Sequence, residues 1–176
     1  MESHDMRTLR LALGALASLG FLASLTAHVA ALQGIDVETY VPFVWLLHGG
    51  IFVVFVPFIL MARRVYGNRL SAKEMANMAP PWVRTFGAAL FAYAMVNFVI
   101  FILHTQGGNA TERDGQFLLM QHGTLIRHLT SAEYASFRAN QVRGFSGHWM
   151  VFYFVSAAYF LFHRPPAAVT ATAPRG

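Results

Sequence analysis

The stretch Arg143-Gly144-Phe145-Ser146-Gly147-His148-Trp149-Met150-Val151-Phe152-Tyr153 joins the longest polar segment of the chain to its last apolar segment. A cation, two glycines, a histidine and a tryptophan crowd the junction. Arginine and tryptophan are the side chains that suit the boundary between water and lipid, and the aromatic run beyond them suits hydrocarbon. The junction therefore reads as the point where a chain emerging from water enters a bilayer. We expect a turn at Gly144 and Gly147 and a membrane span over about 145–163, closed by His163-Arg164-Pro165-Pro166.

Working outward, three more apolar runs cover about 9–32, 41–62 and 83–104. Each is near the roughly 20 residues that one helical crossing needs. Of the 176 residues 56% are hydrophobic and 12% charged, the latter well below the roughly 25% of soluble domains. A water-soluble chain of this length still exposes about a third of its surface and could not hide so much apolar area. The rival reading of the first run, a cleaved signal peptide ending near Val29-Ala30-Ala31, is disfavoured because the run exceeds the roughly 7–15 residues of a signal core. The expected fold is thus all-α and integral to the membrane: a four-transmembrane-helix bundle forming one domain over 1–164, followed by a disordered Ala/Pro/Thr-rich tail at 165–176.

The connections assign sides. Gln33–Tyr40 holds Asp36 and Glu38 and no cation, whereas Arg63–Arg84 holds Arg63, Arg64, Arg69, Lys73 and Arg84. Basic loops stay in the cytoplasm, so both termini are expected there, in an inner membrane of bacterial type. The long connection of about 107–144 must then lie outside despite Arg113, Arg127, Arg138 and Arg143. Within it, 116–121 and 124–129 read as two strands joined at His122-Gly123. Thr130-Ser131-Ala132-Glu133 is a capping box that starts a helix. The expected cap is a small extracytoplasmic β-hairpin plus an amphipathic helix between spans 3 and 4. Pro42 is expected in the first turn of the second span, and Pro57 inside it.

The candidate chemistry is spatial. Four of the eight histidines, His28, His48, His104 and His148, fall at the outer ends of the four spans, which an antiparallel bundle brings together. Imidazole suits zinc, copper, iron or nickel, and two histidines on facing helices can hold a b-type haem. A transition metal or haem b at these residues is one expectation. The plainer one is that they hydrogen-bond to headgroups and backbone, since no span holds an HxxxH or ExxH pair. Ser24, Tyr93, Asn97, Ser156 and Tyr159 recur at helical spacing with these histidines and are expected to face the interior, Asn97 as interhelical glue. Met95, Met120 and Met150 read as packing ahead of soft copper ligands.

With no cysteine, disulfides, thiolate metal sites and cysteine nucleophiles are excluded. No phosphate-binding glycine loop, GxSxG or HExxH occurs, and the four spans hold no acid to relay protons. The basicity lies beside apolar runs and not in a nucleic-acid footprint. The leading functional expectation is a membrane protein of accessory or interaction type, outside the enzymes, whose partners are the bilayer, another membrane or periplasmic protein, or a second copy of itself. The alternatives are a histidine-ligated metal or haem protein in redox or metal handling, and a small oligomeric transporter.

Overall fold

The computed structural model describes residues 2–67 and 79–163. The expected tail at 165–176, and Arg69, Lys73 and Arg164 of the basic segments, lie outside the described residues. Helix α1 is Glu2–Leu32, α2 the short Val37–Tyr40, α3 Leu46–Tyr66, α4 Pro81–His104 and α5 Ser131–Phe162. Between α4 and α5 lie strands β1 (Asn109–Arg113), β2 (Gln116–Gln121) and β3 (Thr124–His128). Among the described residues, four helices are long and apolar enough to cross a membrane: α1, α3, α4 and α5.

The helices start where local chemistry allows. Asp36 caps α2, its Oδ1 accepting from the Glu38 N–H at 3.2 Å. Pro42 falls in the turn between α2 and α3, so α3 begins at Leu46 and not at the proline. Pro57 sits inside α3 and Pro81 opens α4, where its missing N–H leaves no bond unmade. The α5 capping box forms in full: Glu133 N–H donates to Thr130 Oγ1, and Thr130 N–H to Glu133 Oε2.

Two expectations for the cap are corrected. The hairpin is a three-stranded antiparallel meander in the order β1-β2-β3. The extra strand follows from Asp114-Gly115, whose φ values of 51° and 73° make the left-handed turn that reverses β1 into β2. The amphipathic helix is not a separate element either, since α5 runs unbroken for 32 residues through Gly144 and Gly147. Both glycines are helical and buried, and serve close packing instead of a turn. A Cβ at Gly144 would strike the Phe101 ring, and one at Gly147 would lie 2.8 Å from Asn97 Nδ2. Small residues let helix backbones approach in this way.

Helix α5 is the hub. It packs on α1 along most of its length and also on α3, α4, α2, β1 and β2. Helix α4 packs on α5 and makes no substantial contact with α1 or α3. The larger core cluster gathers Ala17, Ile51, Val54, Val142, Trp149 and Tyr153, and a second one at the far end gathers Phe58, Ala62, Tyr159 and Phe160. The sheet sits at the end where α1 and α4 finish, called here the sheet end.

Candidate functional site

The polar interior lies at the sheet end, where α1, α4 and α5 converge. His28 of α1 is buried, and its two ring nitrogens reach two other helices. Its Nδ1 lies 2.8 Å from Ser146 Oγ of α5, and its Nε2 lies 2.5 Å from the Tyr93 hydroxyl of α4. Ser146 donates its only hydroxyl proton to the Arg143 carbonyl at 3.1 Å. It must therefore accept from His28, which places the proton of a neutral ring on Nδ1 and leaves Nε2 to accept from Tyr93. A directed chain results: Tyr93 to His28 to Ser146 to the Arg143 carbonyl.

That carbonyl also accepts from Asn97 Nδ2 of α4 at 2.9 Å. Asn140 Nδ2 ties α5 to the Phe101 carbonyl at 3.2 Å, and its Oδ1 accepts from Arg143 Nη2 at 2.8 Å. Ser24, one turn below His28, is fully buried, and its hydroxyl has no hydrogen-bond partner among the described residues.

A second group lies between α3 and α5. Trp149 is fully buried and donates from Nε1 to His48 Nδ1 at 3.0 Å, so a neutral His48 carries its proton on Nε2. Trp45 stands edge-on to Trp149 at 5.4 Å and to Phe145 at 5.3 Å.

The four histidines are not gathered into one ligand set. His28 and His48 enter the separate networks just described. His104 is exposed and donates from Nδ1 to its own helix at Ile100 O, 2.8 Å away. His148 does the same to Gly144 O at 3.2 Å, with its ring edge-on to Phe98. Among the described residues, no group of three or more His, Asp or Glu side chains could hold a metal ion. The physical reason is helix phase: histidines at similar depth on four helices meet only if each faces the common axis, and here the hub is α5 itself.

Of the other polar residues singled out in the sequence, Ser24, Asn97, Ser156 and Tyr159 are buried, while Tyr93 keeps part of its surface exposed. Ser156 bonds back to the Phe152 carbonyl at 2.9 Å. Met150 is buried in packing. The sequence reading missed Ser146 and Arg143 as network members. The signal available was the i, i+3 spacing of Asn140, Arg143 and Ser146 on what is a continuous helix.

Charge clamps the same end. Arg138 of α5 reaches Asp36 Oδ2 and Glu38 Oε2, each at 2.8 Å, fastening the α1–α3 connection to α5. Arg127 of β3 pairs with Glu133 of α5 at 2.8 Å, and Phe117 of β2 stacks on Tyr134 at 4.5 Å.

Comparison with protein-family models, curated proteins and solved structures finds no match. The functional reading therefore rests on this chain's own residues.

Proposed function

We propose that this chain is a four-span integral membrane protein of accessory type, whose three-stranded sheet is an extramembrane docking element held rigidly to the spans. One observation carries the reading: α5 continues without a break from beside the sheet into the body of the molecule. A partner on the sheet is thereby coupled to the spans with no hinge between. The Arg127–Glu133 pair and the Phe117–Tyr134 stack hold the sheet in place.

The docking surface is β3. It is an edge strand, and Leu125 and Ile126 on it are 46% and 44% exposed. An edge strand carrying apolar side chains offers backbone hydrogen bonds and hydrophobic contact to an added chain. The membrane orientation consistent with the loop charges puts this sheet outside and both termini in the cytoplasm.

Photo-crosslinkers at Leu125 and Ile126 in native membranes test the reading. We expect one stoichiometric partner that co-purifies in mild detergent. The Leu125→Ser/Ile126→Ser variant should lose it while keeping its circular dichroism. Retention of that partner by the variant, or a protein that crosslinks to nothing through β3, counts against docking at the sheet.

A further inference from the structure

Arg143 stands apart from the two carboxylate-paired arginines of the sheet end. Arg127 and Arg138 each have a carboxylate at 2.8 Å. Arg143 has an amide: Nη2 donates to Asn140 Oδ1, and its Nε is buried with no hydrogen-bond partner among the described residues. Asp36, Glu38 and Glu133 are committed to the other two arginines, and Glu112 and Asp114 lie at the β1–β2 turn.

The depth of Arg143 follows from its neighbours. Gly144 abuts Phe101 and Gly147 abuts Asn97. Arg143, one residue nearer the sheet end than Gly144, is therefore level with α4 residues less than one turn short of His104, on the order of 3 Å inside the helix end. Guanidinium stays charged there, and at the edge of a bilayer it suits an anionic counter-ion.

The surroundings are fixed and open on one side. The Arg143 carbonyl accepts from both Asn97 and Ser146, so the backbone is pinned while the head group is held by one bond. Helices α1 and α4 flank α5 without substantial contact with each other, and the His28–Tyr93 bond bridges them. The Arg143 carbonyl is joined to that bridge through Ser146 and His28. Tyr93 is 42% exposed, so the bridge is reachable from outside the bundle.

We propose that Arg143 binds a phosphate-type oxyanion at this junction of α1, α4 and α5, with Asn140 aligning its planar fork and Tyr93 at the rim. The fork matches two phosphate oxygens at once. The oxyanion can come from an anionic lipid headgroup or from free phosphate, and this inference is independent of docking at β3.

The test uses the purified full-length protein in detergent, with native mass spectrometry and thermal unfolding as readouts. The probes are phosphatidylglycerol, phosphatidylcholine and inorganic phosphate. We expect one phosphatidylglycerol to be retained and to raise Tm, with phosphatidylcholine far weaker. Arg143→Gln should weaken that binding at least about tenfold, the scale of losing one charge-assisted bidentate contact. Arg143→Lys, which keeps the charge and loses the fork, should weaken it several-fold, and Arg113→Gln on β1 should leave it unchanged. Equal Arg143-dependent stabilisation by inorganic phosphate would support the site and assign it a soluble anion. Equal retention of phosphatidylcholine and phosphatidylglycerol by the unmodified protein would overturn the proposal without recourse to any variant. Anion binding untouched by Arg143→Gln would do the same.

Discussion

Tyr153 is where three helices meet. Its ring lies against Gly20 of α1, and its hydroxyl lies over Gly50 of α3 and donates to the Leu47 carbonyl at 2.8 Å. A Cβ at Gly20 would strike the ring itself, whereas one at Gly50 would strike only the hydroxyl oxygen, with Cζ at 3.7 Å. The two glycines therefore answer differently to the same change. Gly20→Ala should cost about 1–3 kcal/mol by overpacking in any background that keeps the ring. Gly50→Ala should cost a similar amount alone and much less with Tyr153→Phe, which removes the struck atom. Tyr153→Phe alone should cost about 1 kcal/mol for the lost hydrogen bond. Unfolding in mixed detergent and a double-mutant cycle between positions 50 and 153 measure this; a coupling near zero would contradict the packing described. Residues at this scale were only partly legible. Burial of Ser24, His28 and Asn97 was readable because polar side chains in apolar runs need partners. Tyr153 was not, since one aromatic among many gives no phase until the small residues opposite it are known.

The elements show where glycine misleads. In a water-exposed segment, Gly144 and Gly147 would mark a turn, and the sequence reading took them so. In α5 they are the places where α4 comes closest, and the helix passes through them. The opposite error occurred at Asp114-Gly115, a strong hairpin signal that went unread because Asn109–Arg113 is polar and only its pairing with β2 makes it a strand. Continuity of α5 is directly measurable. Ala132 and Leu161 are both exposed and lie 29 residues apart on it. At 1.5 Å per residue, spin labels there should report a single narrow distance of about 43 Å. A turn at the glycines would shorten and broaden the distribution. The remaining elements were legible because long apolar runs leave few options: α1, α3 and α4 fall where the apolar runs place them, with boundaries moved by caps and prolines.

At the scale of the whole molecule, the distribution of charge eases the difficulty that the long connection presents to the loop-charge rule. The sheet-end segments hold Arg113, Arg127, Arg138 and Arg143 against Asp36, Glu38, Glu112, Asp114 and Glu133, a net charge of −1. The remaining nine cations and three acids, in the terminal segments and the α3–α4 connection, give +6. Arg138 and Arg127 are moreover held by carboxylates, so two of the four arginines that argued against translocation carry their counter-ions with them. The Arg138 pairs also hold the α1–α3 connection beside the start of α5, so in the proposed membrane arrangement the two share one side. Because the chain has no cysteine, single substitutions report on this without background. In right-side-out vesicles, Gly34→Cys and Asp114→Cys should react with a membrane-impermeant maleimide, while His4→Cys, at the other end of α1, should react only after permeabilisation. Labelling of Gly34→Cys and Asp114→Cys from opposite faces would break the link between α5 and the α1–α3 connection. It would also undo the convergence of α1, α4 and α5 on which the His28 network and the Arg143 site depend.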